Sequence, residues 1–234
     1  DLSIRDFELV NIPLGKLDMK ASALSIKEYD FNLALKEGKV DLDIFGTILA
    51  DSARTDLDLK VDLNALQMSI LEIVSDSALK QPKGFIKGEF EVKGSVAEPV
   101  YKGEVAFKEA GFLVSLLNTS FTFPDELIEL DNSGVYFKNF TIKDALGGAF
   151  VINGKVLTEN LADVGFDLKL QTKGFQVMNS TRADSDLFFG KASVDLDLQI
   201  GGSASLPVVN MQLKVNEGTE VSCIVQKDGL DLGE

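Results

Sequence analysis

Val194-Asp195-Leu196-Asp197-Leu198-Gln199-Ile200 is the stretch that decides the fold. Apolar and polar residues alternate without a break, and a period of two puts one set on each face of a β-strand. Two further stretches read the same way. Leu57, Leu59, Val61 and Leu63 alternate with Asp58, Lys60 and Asp62, and Phe166, Leu168 and Leu170 alternate with Asp167 and Lys169. More strands are predicted at 31–35, 40–44, 86–92, 105–107, 112–116, 135–137, 150–156, 211–215 and 221–225. Polar and glycine turns such as Lys36-Glu37-Gly38-Lys39 and Asp131-Asn132-Ser133-Gly134 separate them. The pattern predicts an all-β chain built as an antiparallel sheet with one apolar and one charged side.

About fifteen strands at ~4.8 Å make a sheet on the order of 70 Å long, and six to eight residues per strand make it ~20–26 Å wide. Such a sheet cannot leave one face greasy in water, so it must curl, close, split into a sandwich or hold something apolar. One segment breaks the period. Between Asn64 and Lys80, Leu66, Ile70, Ile73 and Val74 recur every three or four positions, widened by Met68, Leu71 and Leu79. With Asn64 as cap, Gln67 at the capping-box position and Gln81-Pro82 as stop, this predicts an amphipathic helix that plugs the apolar side through Leu66, Ile70, Ile73 and Val74. The expected layout is one continuous groove segment: strands over 1–63, helix and stop over 64–82, strands over 83–234.

Gly94-Ser95-Val96-Ala97-Glu98-Pro99-Val100 lines up with Gly202-Ser203-Ala204-Ser205-Leu206-Pro207-Val208. Each sits between two alternating strands, which points to a repeated strand-turn-strand unit and an elongated architecture.

Composition removes several function classes. Lys plus Arg is 23 and Asp plus Glu is 37, a net charge of −14 that gives nucleic acid no basic face. Histidine is absent, so no histidine triad, metal ligand or proton shuttle can form. The single Cys223 permits neither an intramolecular disulfide nor a thiolate cluster, and its place on the apolar parity of a late strand predicts a buried, inert thiol. The D-x-D pairs Asp41/Asp43, Asp56/Asp58, Asp184/Asp186 and Asp195/Asp197 lack the rest of a calcium loop, and most fall on polar strand parity. They are expected to face water. No catalytic constellation, metal site or cofactor site emerges. The opening Asp1-Leu2-Ser3-Ile4-Arg5 reads as the start of a piece cut from a longer protein.

Three stretches of the second half carry a family resemblance. The first is Val135-Tyr136-Phe137-Lys138-Asn139-Phe140-Thr141-Ile142-Lys143-Asp144-Ala145-Leu146-Gly147, followed by Ile152-Asn153-Gly154-Lys155-Val156. The second is Phe166-Asp167-Leu168-Lys169-Leu170 with Gly174-Phe175-Gln176-Val177-Met178-Asn179. The third is Phe189-Gly190-Lys191-Ala192, the turn from Gly202 to Val208, and Val215-Asn216-Glu217-Gly218-Thr219. Together they resemble the C-terminal region of the TamB family, within the AsmA-like superfamily.

The resemblance implies a U-shaped β-groove, or β-taco, with an apolar interior. It implies a periplasmic protein anchored at the inner membrane and reaching the outer one. The roles it implies are phospholipid passage and, with a BamA-type partner contacting regions outside this segment, outer-membrane assembly.

The leading expectation is therefore a non-enzymatic lipid conduit. Its groove lining is expected to be Leu59, Val61, Phe90, Val92, Val105, Phe107, Phe137, Phe150, Ile152, Phe166, Leu168, Leu170, Leu196, Leu198 and Leu213. The competing readings are a scaffold that pairs with nascent outer-membrane strands by β-augmentation, and a calcium-dependent β-solenoid adhesin.

Overall fold

A computed structural model describes residues 1–9, 12–51, 54–185 and 187–224. Among them are fifteen strands, one short helix and one 3₁₀ turn, in a single antiparallel sheet. The strands are β1 (Leu2–Leu9), β2 (Ile12–Ala23), β3 (Glu28–Lys36), β4 (Val40–Ala50), β5 (Thr55–Gln67), β6 (Leu79–Ser95), β7 (Pro99–Val114), β8 (Thr119–Phe123), β9 (Leu127–Asp131), β10 (Gly134–Lys143), β11 (Ala149–Leu157), β12 (Gly165–Ser180), β13 (Phe188–Ser203), β14 (Pro207–Val215) and β15 (Glu220–Cys223). Apart from β8 with β9 and β14 with β15, each pairs with the next in sequence, as one expects where polar turns join alternating strands.

Two lanes of the sheet are shared. β8 and β9 both lie between β7 and β10, and β14 and β15 both flank β13. The path therefore has 13 strands and spans roughly 60 Å, shorter than fifteen separate lanes would give. The strands in turn are longer than the alternation predicts: 17 residues in β6 and 16 in β7, β12 and β13.

The difference comes from β-bulges. Lys108-Glu109-Ala110-Gly111 looks like a turn in the sequence, but it lies inside β7, where Glu109 has φ 49° and the register slips against β6. Similar slips fall at Asn139 in β10 and Gly174 in β12. A bulge bends its strand and increases its twist, so one half of each long strand folds toward the other. That is how the sheet curls without closing into a sandwich.

The predicted helix over 64–80 is corrected. Asn64 to Gln67 end β5, the helix α1 covers only Ile70–Val74, and Leu79 already opens β6. The cause is a bulge between Leu63 and Leu66 that brings Leu66 back to the apolar face after three residues and so imitates helical spacing. Asn64 does not cap; its amide donates to Asp41 at 2.9 Å and Asp43 at 2.7 Å. Pro82 does not stop a helix. It sits inside β6 where the register jumps from Lys80 to Lys83, so no ladder donor is missed.

The repeated turn is real in three dimensions. Gly94 pairs with Pro99 and Gly202 with Pro207. The Glu98 and Leu206 amides donate to the Ser95 and Ser203 carbonyls at 3.1 Å each. The Val96 amide reaches back to Thr55 O (3.0 Å) and the Ala204 amide to Val164 O (2.9 Å). The correspondence extends one strand earlier. Gly46 pairs with Leu59 and Gly154 with Leu168, at φ 146° and 114°. A Cβ there would lie 2.1 Å from Asp58 O and 2.0 Å from Asp167 O. Only glycine lets the next strand approach this closely, which places two equivalent kinks in the sheet.

Candidate functional site

Cross-strand partners share a face, so the register decides which side chains line the concave surface. One row runs Leu35–Leu42–Leu63–Gly88–Val105–Ile128–Phe137–Gly154–Leu168–Ile200–Val209. A parallel row runs Leu33–Ile44–Val61–Phe90–Gly103–Leu130–Val135–Val156–Phe166–Gly202 through the same ladders.

All fifteen residues expected in the lining fall on this one face. A regularity not read from the sequence joins them: Phe31, Phe90, Phe137 and Phe166 each stand opposite a glycine, namely Gly46, Gly103, Gly154 and Gly202. A Cβ on Gly103 would come within 2.3 Å of the Phe90 ring, so the ring occupies the space the glycine leaves.

The lining is not uniform. Most of these side chains are half-buried, although no second sheet covers them. On β14 every residue is exposed, and Val209, Met211, Leu213 and Val215 are each more than half exposed. Full burial is concentrated in the middle. Met68, Ala110, Phe123 and Phe140 form a core against which Leu71, Phe107, Phe112, Phe137 and Ile152 pack. Phe107, Phe137 and Ile152 are thus in a filled section and not in an open trough.

Eight of the sixteen phenylalanines form one ring chain, Phe137–Phe140–Phe107–Phe123–Phe112–Phe121–Phe175–Phe150, with centroids 5.3–6.4 Å apart. It crosses from β7 to β12. β8 and β12 would lie about 14 Å apart in a flat sheet, three strand spacings. Their Cα atoms instead approach within 8 Å, and Phe121 stacks on Phe175 at 5.6 Å.

The lining expected from the sequence left out Phe112, Phe121, Phe123, Phe140 and Phe175. Bulges reset the parity beside Phe112, Phe140 and Phe175, and a strand too short to show alternation carries Phe121 and Phe123. The segment docks by Met68, just before the helix, and by Leu71, two residues read as widening the predicted face and not as its centre. Ile73 and Val74 are 44% and 60% exposed, Ile70 is half-buried, and Leu66 belongs to β5.

Asp144 pins the upper end of the groove. Buried in the β10–β11 turn, its Oδ1 accepts the Leu146 and Gly148 amides (2.9 and 2.7 Å) and its Oδ2 accepts the Gln176 amide of β12 (2.6 Å). Asp144→Ala leaves three amides without this acceptor. It is expected to cost about 1–3 kcal/mol, read as a lower denaturation midpoint, with hydrogen exchange rising first at 174–180.

The outer face is polar. It holds a depression of about 760 Å³ lined mainly by charged side chains, among them Lys60, Glu89, Glu91, Lys102, Glu104, Glu129 and Asp131. Lys36 bridges Asp41 and Asp43 at 2.5 and 2.6 Å. The D-x-D pairs therefore have local partners and are not simply solvated.

Asp195 in particular is half-buried and structural, contrary to expectation. It accepts from the Gly174 amide at 2.8 Å and Asn216 Nδ2 at 2.9 Å, tying the β12 bulge to the turn after β14. Asp186 and Val225 lie outside the described residues. Cys223 is exposed, not buried, because β15 packs only on the edge of β13.

Hydrogen bonds from Lys36 and then Asn64 hold the Asp41 carboxyl below its usual range, Asn216 and the Gly174 amide do so for Asp195, and Asp41 raises Lys36. Depressed carboxylates stabilise the fold above their unfolded pKa and lose that contribution as pH falls through the folded one; the raised lysine contributes until pH climbs past its ordinary value. With no histidine, the denaturation midpoint should be flat from about pH 6 to 8 and fall below about pH 4.

Residues 138–226 match the TamB C-terminal domain. Over that stretch, well under half of its length, the chain is similar to the TamB family. No curated protein and no solved structure matches the chain. The matched TamB region runs from β10 past β15 and contains the Asp144 anchor, the second glycine kink and the second repeated turn. The family is associated with outer-membrane assembly and the cell envelope and is a transport and assembly module, not a known enzyme family. Among the described residues, no helix is long and apolar enough to cross a membrane.

Proposed function

We propose that this chain is a segment of a periplasmic lipid conduit. Acyl chains of phospholipids lie against the apolar rows and move along them between the inner and outer membranes, while head groups stay at the open side. The protein contributes a surface and performs no bond chemistry. The observation that carries this reading is the apolar face itself: continuous in register from β3 to β14, curled inward, and under no second sheet, with only its middle section filled by the Met68 and phenylalanine core. Leaving it wet is costly, and acyl chains relieve that cost without needing specific polar contacts. The BamA-type partner and the inner-membrane anchor of the proposed assembly act through other regions of the protein.

Native mass spectrometry of the purified segment, followed by lipid extraction, tests this. Phospholipid adducts are expected. A delipidated chain that stays monomeric and binds no apolar dye would contradict the proposal.

A second reading draws on β14, which is exposed along its whole length and pairs with β13 alone among the described residues. Such an edge can accept a strand from a nascent outer-membrane protein. Capture of unfolded outer-membrane strands by lipid-free protein, abolished by a proline within β14, would favour it.

A further inference from the structure

We propose that Met68 and the helix α1 form a gate across the groove, closed in this structure. This rests on the conduit reading and adds a moving part to it.

Three observations converge on the segment. First, it fills the groove where the interior is most tightly packed. Met68 (4% exposed) and Leu71 seat against Ala110, Phe123 and Phe140. Acyl chains on the β1–β6 side and on the β11–β14 side thus meet a packed barrier between them. Second, the gate is lightly built. α1 has five residues, no side-chain cap at its start and no buried residue of its own. Its outer side, Ile73 and Val74, is exposed. Besides two apolar side chains, side-chain hydrogen bonds at its margins hold this turn, among them Lys39 Nζ to Ser69 Oγ and Ser115 Oγ to Ser77 O at 2.9 Å each, so it can open without disturbing the strand ladders.

Third, backbone strain is concentrated at its exit. Asp76, Ser77 and Gln81 have φ of 49°, 61° and 49°, three left-handed non-glycine residues within six positions. Such residues cost free energy that the surrounding packing must hold in place, and an open state releases it. The Asp76 amide is held at the limit of a hydrogen bond, 3.5 Å from Ile73 O. The segment is fastened at both ends, by the Met68 amide on Gly84 O at 3.1 Å and the Ser115 amide on Ala78 O at 2.9 Å. Residues 70–76 between these points therefore move as a flap that carries Leu71 away from the core around Met68.

Opening would uncover Met68 while leaving Met178, 6% exposed in β12, in place. The test uses the full chain with Cys223→Ser and either Met68→Cys or Met178→Cys, labelled by a charged maleimide. Unlabelled circular dichroism must match the parent. Leu71→Cys stands in if Met68→Cys is misfolded.

The gate predicts that Met68→Cys reacts at least about tenfold faster than Met178→Cys, because local opening needs less free energy than unfolding. It also predicts that micelles of dihexanoylphosphatidylcholine accelerate the first and not the second. Equal rates at the two positions, or no response to micelles, would overturn the gate. Lipid adducts measured on the parent separate the two proposals. Adducts with equal labelling leave the conduit standing and remove the gate. Absence of adducts removes both.

Discussion

Leu198→Arg is expected to abolish the activity of the full-length protein at normal abundance, while Gln199→Arg, one residue further along β13, retains it. Leu198 faces inward between Leu170 and Met211, whereas Gln199 pairs with Lys169 and Asn210 on the exposed outer side. A guanidinium at the centre of a bilayer costs about 2.5–3.5 kcal/mol on insertion scales. In an open groove the long side chain can snorkel toward the mouth, so the cost to folding is smaller than that. The cost to transport is not reduced, because acyl chains must pass this point and no parallel path exists. A complementation assay with matched protein levels reads the difference. Equal tolerance of both variants would point to the scaffold reading. Asp195 is no suitable control for the outer face, since its two hydrogen bonds tie β12 to the turn after β14.

Phe123→Ala should have the largest effect on stability. Phe123 is 9% exposed and touches the rings of Phe107, Phe112 and Phe140 at centroid distances of 5.3, 5.6 and 6.0 Å. Removing such a ring from a packed core costs about 3–5 kcal/mol through lost burial and the cavity left behind. In a sheet with few fully buried residues, that loss falls on the one section where the walls meet. Phe166→Ala, a half-buried ring opposite Gly202, should cost clearly less. Guanidinium denaturation followed by circular dichroism measures both, and comparable losses would mean that the groove packs evenly along its length.

The sheet and the face that lines it were legible in the sequence because each depends on a period of two. Leu57 to Leu63 and Val194 to Ile200 carry that period without interruption, and the fifteen residues read from it share one face by cross-strand register. What escaped lies where the period is broken. The bulge at Asn64-Ala65 imitates a helix, the one at Glu109 imitates a turn, and the one at Asn139 shifts Phe140 to a parity that local alternation assigns to the outside. The pairing of phenylalanine with glycine across strands is a relation between residues 13 to 36 positions apart. Local spacing does not show it. The turn repeat was readable because Gly94-Ser95 and Gly202-Ser203 each precede a proline at the same distance. The meeting of β8 with β12 depends on curvature accumulated over several strands and has no signature at either site.

The central claim is that acyl chains occupy the inner face. A photoreactive amino acid placed at Leu198 or at Gln199 in the full-length protein, irradiated in living cells, tests it most directly. The account predicts phospholipid cross-links from position 198 and none from 199. Protein adducts alone at 198, or equal lipid labelling at both positions, would contradict it.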